Sequence, residues 1–135
     1  MASWLLKTES STYSWDDLVK AGKTRWDGVT NPAALIAIRQ MRAGDEALIY
    51  HSGAERALVG IAKITRGAYQ DPASNDPRRA VVDLAPVRPL KAPVTLSAVK
   101  AEPTLAEFAL VRNSRLSTMP VEPAVRRILT RLGVR

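Results

Sequence analysis

Cysteine is absent from this chain of 135 residues, histidine occurs once, and the aromatic residues are three tryptophans, three tyrosines and one phenylalanine. The missing cysteines exclude disulfides and cysteine-ligated metal clusters. No run of about 20 apolar residues occurs, and the opening MASWLLKTE lacks the basic segment and long apolar run of a signal peptide. We therefore expect one soluble domain spanning residues 1–135, with no membrane contact and in the cytoplasm, associated with the nucleoid if the source is bacterial.

Acidic residues are scarce relative to basic ones. The chain has 20 lysines and arginines against 13 aspartates and glutamates, a formal charge of +7 and a pI near 10.2. Such an imbalance is typical of proteins that bind phosphate-rich partners. A coding bias towards arginine, alanine and proline is an alternative explanation, so charge favours a nucleic-acid partner without establishing one.

Local signals predict an α+β fold. Ser14 has the spacing of a helix cap before a helix that Gly22 ends, and Asn31 with Pro32 begins a second helix that reaches about residue 43. We expect further strands in SWLLK, EALIYHS, RALVGIAKITRGAY and RRAVVDLAPVRPL, short helices over 98–100 and 104–109, and a last helix from Pro123. The predicted architecture is a curved, mostly antiparallel sheet or barrel surrounded by short helices.

The sequence offers little for catalysis. His51 is followed directly by Ser52, and adjacent strand residues point to opposite faces, so the two cannot form a nucleophile and base by direct contact unless the strand ends there. No phosphate-binding glycine loop or nucleophile elbow occurs. We expect no catalytic residues, no metal site and no cofactor.

The few aromatic residues make binding the stronger hypothesis. Trp4 is expected in the core and Trp15 against the first helix, whereas Trp26 lies in the turn WDGVTN, where core packing is the alternative to ligand contact. Tyr50 ends a strand beside a glycine-containing loop. A flat ring stacks on any nucleobase, and polar groups read the base edge. The residues that supply both kinds of group are Trp26, Asp27, Asn31, Tyr50 and Ser52.

Six segments in order resemble the EVE domain, a member of the PUA-like superfamily that also contains the YTH and ASCH domains. They run from Ser3 to about Val121: WLLKTE with YSWDDL, WDGVTNPAA, GDEALIYHSG, LVGIAKITRGAYQDP, VVDLAPVRPLKAPVTLSAVK and ALVRNSRLSTMPV. The resemblance implies a barrel-like sheet with surrounding helices. It also implies a pocket that receives a modified cytosine flipped out of DNA.

The resemblance also assigns site residues. The pocket positions that match are Trp26 and Asn31, the strand end Tyr50, His51 and Ser52, and the element Lys7, Thr8 and Glu9. A late loop rich in arginine and serine matches Arg112, Ser114, Arg115, Leu116 and Ser117. The chain departs from the family in having Ser10 in place of a proline, and Thr30 and Leu35 in place of two arginines.

The resulting hypothesis is a non-catalytic reader of a C5-modified cytosine in DNA, methylated or hydroxymethylated. Asp27 would accept a hydrogen bond from the cytosine amino group. Arg112, Arg115 and the arginines of the last helix would bind the DNA backbone, or else form a solvated surface. Two alternatives stay open: a module for modified RNA, and an enzyme that acts on a modified nucleotide through His51. A separate effector protein is a further candidate partner.

Overall fold

A computed structural model describes all 135 residues. In chain order the elements are β1 (Ser3–Glu9), α1 (Trp15–Ala21), β2 (Thr24–Trp26), α2 (Pro32–Gln40), β3 (Glu46–Ser52), β4 (Ala57–Gln70), β5 (Ala80–Thr95), α3 (Leu96–Lys100), a 3₁₀ turn (Pro103–Leu105), α4 (Ala109–Arg112), β6 (Thr118–Val121) and α5 (Pro123–Leu132). The longest helix, α5, has 10 residues. None of the helices is both long and apolar enough to span a membrane.

All six strands form one mixed sheet in the order β2-β5-β4-β3-β1-β6. Neighbouring strands are antiparallel except β1 and β3, which run parallel and pair Thr8 with His51 and Glu9 with Ser52. The sheet is not a closed barrel, because β2 and β6 stay at its two edges. The predicted α+β class is confirmed, with helices around a curved, mostly antiparallel sheet.

Side chains alternate between two faces of the sheet, and each face carries its own core. Trp4 and Leu6 of β1 belong to a cluster of 16 buried residues covered by α1 and α2, which we call the α1–α2 face. Leu5 belongs to a cluster of 15 buried residues covered by α3, α4 and α5, the α3–α5 face. This alternation decides which of the candidate residues can share a site.

The strongest local signals are confirmed. Ser14 and Asp17 form a reciprocal capping box at the start of α1, and Gly22 ends that helix with φ 74°, a left-handed conformation that favours glycine. Helix α2 ends at Gln40, earlier than predicted. The predicted helix at 104–109 is a 3₁₀ turn followed by α4, and the short strands β2 and β6 were not predicted.

Candidate functional site

A cavity of about 440 Å³ lies where β1 and β2 end. This volume is within the usual range of small-ligand sites. Two aromatic rings and several polar groups form its wall: Thr8, Thr12, Tyr13, Thr24, Arg25, Trp26, Asp27 and Gly28. Of the residues singled out from the sequence, Thr8, Trp26 and Asp27 are therefore brought together here.

Trp26 forms part of both the cavity wall and the core. Strand β2 pairs it with Val82 of β5, and only 8% of its surface is exposed. The Tyr13 ring packs edge-on against it, with ring centres 6.2 Å apart and planes at 82°. The core-packing alternative is therefore correct for most of this ring, and its contact with a ligand stays a prediction.

Tyr13 is a cavity residue that sequence reasoning missed. Its backbone is fastened to the end of β1, since its N–H donates to the Glu9 carbonyl (2.8 Å) and its carbonyl accepts from the Thr8 hydroxyl (2.8 Å). The Tyr13 hydroxyl is buried without a hydrogen-bond partner. The scarcity of aromatic residues, which drew attention to Trp26, applies equally to Tyr13 and could have identified it.

Asn31 has a structural function at the start of α2. Its side-chain oxygen accepts from the backbone N–H groups of Ala33 (2.9 Å) and Ala34 (3.1 Å). It does not line the cavity. The expectation that Asn31 bonds the base edge is therefore not supported by its position.

His51 holds α1 in place. Its Nε2 accepts from the Trp15 backbone N–H (3.0 Å), and its Nδ1 lies 2.7 Å from a Glu55 carboxylate oxygen. Because Nε2 is the acceptor, Nδ1 carries the proton and donates a hydrogen bond to the Glu55 carboxylate. Both ring nitrogens are thus engaged within the protein, and the ring is only 7% exposed.

The other predicted pocket residues lie on the opposite face of the sheet. Tyr50 is buried in the core of the α3–α5 face, and the Lys7 Nζ lies 5.8 Å from the centre of its ring. The Lys7 amine also donates to the Ser114 carbonyl (3.1 Å). Its partial burial lowers the pKa of Lys7 from its usual value. The resemblance grouped these residues with Trp26, but the structure separates them from the cavity.

Glu9 and Ser52 form a strand-end pair between β1 and β3 and do not line the cavity either.

In the late loop, the Ser117 carbonyl accepts from the Lys7 backbone N–H (2.8 Å). Arg112 is paired with Glu107. Arg115 is exposed and has no acidic partner within ion-pair distance, and Leu116 packs against the α3–α5 core.

Not all arginines of α5 are free for a ligand. Arg126 lies 2.6 Å from a Glu46 carboxylate oxygen and donates to the Val134 carbonyl (2.9 Å), joining the last helix to β3. Arg127 is exposed. No cluster of three or more histidine, aspartate or glutamate side chains lies within reach of one metal ion.

Comparison with known proteins connects this geometry to a family. Residues 2–132 match the EVE domain. Human thymocyte nuclear protein 1 is 30% identical over 152 aligned positions, which cover 87% of this chain and 68% of that protein.

Solved structures agree with this match. The NMR structure of Rpa0253 from Rhodopseudomonas palustris is 44% identical with a TM-score of 0.93, covering 98% of this chain and 93% of that one. Human THYN1, solved in complex with DNA containing 5-methylcytosine, is 28% identical with a TM-score of 0.87, covering 98% of this chain and 97% of that one. The fold implied by the resemblance is confirmed, and the chain belongs to the EVE domain family.

Proposed function

We propose that this protein is a non-catalytic reader of DNA that receives a C5-modified cytosine, flipped from the duplex, in the cavity beside Trp26. The observation that carries the proposal is the cavity itself, which combines two aromatic rings with carboxylate and hydroxyl groups. The similar human THYN1 was solved with DNA that contains 5-methylcytosine, which supports the choice of ligand.

The wall of the cavity offers suitable partners for a cytosine. Trp26 and Tyr13 provide apolar contact for the flat base. The exposed Asp27 carboxylate lies at the rim and can accept from the exocyclic amino group. Thr12 and Thr24 carry hydroxyls that donate or accept. These groups identify a base by its edge.

The preference for a methyl group should be modest. Burying one methyl contributes about 0.8 kcal/mol, which corresponds to roughly a fourfold difference in affinity. Flipping the nucleotide opposes binding by a few kcal/mol. Contacts to the DNA backbone must therefore provide most of the affinity, without distinguishing the bases.

The position of His51 does not favour the catalytic alternative. Both nitrogens of His51 are engaged, by Trp15 and Glu55, and the ring does not line the cavity. The RNA alternative differs from the DNA proposal in the 2′-hydroxyl that the site has to accommodate. It is an outcome of the experiment below.

The test is a binding titration with four duplexes that differ at one cytosine: unmodified, methylated, hydroxymethylated and carrying a larger group. We expect tighter binding to at least one modified duplex than to the unmodified one. Equal, salt-sensitive binding to all four would refute the proposal, and stronger competition by matched RNA would favour the RNA alternative.

A blocking variant assigns any preference to the cavity. Thr12 is exposed and lines the cavity, so Thr12→Phe should fill it without disturbing the core. The neighbouring Ser11 is exposed but lines no part of it, which makes Ser11→Phe the matched control. We expect Thr12→Phe to lose the preference and keep salt-dependent binding, and Ser11→Phe to keep both.

A further inference from the structure

A second, smaller cavity adjoins the cavity beside Trp26, which we call the base cavity. It has a volume of about 200 Å³ and lies where the β4–β5 loop meets residues 28–30. Gly28 lines both cavities, so they adjoin at this residue, whose φ of 78° is a left-handed conformation that favours glycine. A ligand larger than one base can therefore extend from the first cavity into the second.

Hydrogen-bond donors without partners line this second cavity. The half-buried Arg79 guanidinium has neither an acidic side chain within ion-pair distance nor a hydrogen bond to another residue. The Ser74 oxygen accepts from the Asp76 backbone N–H (3.1 Å), which leaves its proton free to donate. Thr30 adds an exposed hydroxyl.

The charges around this cavity are unbalanced. Asp71, which also lines this cavity, is 3.9 Å from Arg25, and Asp76 is 3.0 Å from Arg78, so both carboxylates already have a guanidinium partner. Arg79 has no such partner, and its backbone position is fixed because its N–H donates to the Asp76 carbonyl (3.0 Å). The positive charge of Arg79, which no carboxylate balances, therefore lines the second cavity.

We infer that the second cavity binds a DNA phosphate adjacent to the flipped nucleotide, with Arg79 as its main positive partner. This inference rests on the proposed function. One sugar links a base to its phosphate, so a base in the first cavity brings that phosphate near Gly28. Arginine suits this position because its planar guanidinium donates two parallel hydrogen bonds to phosphate oxygens. The backbone would then follow the β4–β5 loop rather than the late loop around Arg115.

The test measures the affinity of Arg79→Ala for methylated and unmodified duplexes over a range of salt concentrations. We expect both affinities to fall by the same factor, about three- to tenfold, and the dependence of log affinity on log salt to become shallower by about one unit. Arg79→Lys should keep the wild-type slope. Arg88, an exposed arginine that lines neither cavity, is the matched control, and Arg88→Ala should change neither quantity.

Two results would overturn the phosphate site. One is an unchanged salt slope in Arg79→Ala, provided that its unfolding midpoint matches the wild type. The other is a reduced slope in Arg115→Ala alone, which would place the backbone along the late loop. A wild type without preference for the methylated duplex would instead refute the proposed function, and with it the assignment of this phosphate to a flipped nucleotide.

Discussion

Replacing His51 tests whether this residue is structural. The imidazole is buried, and its Nε2 accepts from the Trp15 backbone N–H at 3.0 Å. In His51→Ala that N–H becomes a buried donor without a partner, which costs about 1–3 kcal/mol. Glu55 lies on the surface side with a side chain 39% exposed, so the loss of its bond adds little. We expect the free energy of unfolding to fall by about 2 kcal/mol.

Urea denaturation followed by tryptophan fluorescence measures this loss. For a denaturant slope of about 2 kcal/mol/M, the midpoint of His51→Ala should fall by about 1 M. Glutamine places an acceptor near the position of Nε2, so His51→Gln should recover at least half of the difference. A His51→Ala midpoint equal to that of the wild type would refute the structural assignment, and equal losses in both variants would show that the acceptor is not the cause.

Three further predictions concern single contacts. Burial opposes ionisation of Asp45, but hydrogen bonds from Trp4, Arg42 and Ala2 prevail and hold its pKa below the usual value. The ionised Asp45 carboxylate therefore stabilises the fold at neutral pH, and this contribution is lost as the pH falls below about 4. Asp45→Asn should lower the melting temperature at pH 7, and the difference from the wild type should shrink towards pH 3. Tyr13→Phe removes an unpartnered buried hydroxyl, so urea denaturation should show a free energy of unfolding that is unchanged or higher by up to about 1 kcal/mol. A clear loss of stability would mean that the hydroxyl has a hydrogen-bond partner. Arg126→Ala leaves the half-buried Glu46 unpaired and should cost about 3 kcal/mol in urea denaturation, whereas the exposed Arg127→Ala should stay within about 0.5 kcal/mol; equal effects would contradict the ion-pair argument.

Burial changes how Trp26 can be used in experiments. Truncating a buried tryptophan to alanine typically costs about 3–5 kcal/mol of stability, so loss of binding in Trp26→Ala would not separate recognition from folding. Filling the cavity through the exposed Thr12 avoids this difficulty.

Local signals in the sequence were sufficient for most of the fold. Ser14, Gly22 and Asn31 mark helix ends through bonds within a few residues, which a linear pattern can reveal. The strands β2 and β6 have three and four residues and depend on pairing with distant strands, so no periodic pattern reports them. The family was identifiable because its segments are distributed along almost the whole chain.

The site was harder to predict because it depends on which face each strand residue occupies. The alternation rule that separated His51 from Ser52 also separates Thr8 from Lys7. The resemblance matched these residues as one segment and did not consider which face of the sheet each side chain occupies. The scarcity of aromatic residues could have singled out Tyr13, but its place at the cavity depends on loop bonds to the end of β1 that no local pattern shows. Arg79 is likewise brought to Gly28 only when the long β4–β5 hairpin forms.

The indole N–H signals of the three tryptophans allow a direct NMR test of the central claim. Trp26 lines the cavity, whereas the Trp4 indole donates to Asp45 at 3.0 Å inside the core and serves as an internal reference. We expect a duplex with one methylated cytosine to shift the Trp26 signal, the unmodified duplex to shift it less at equal saturation, and the Trp4 signal to stay in place. A Trp26 signal that neither duplex moves, or that both move equally, would contradict the claim that this cavity reads the modified base.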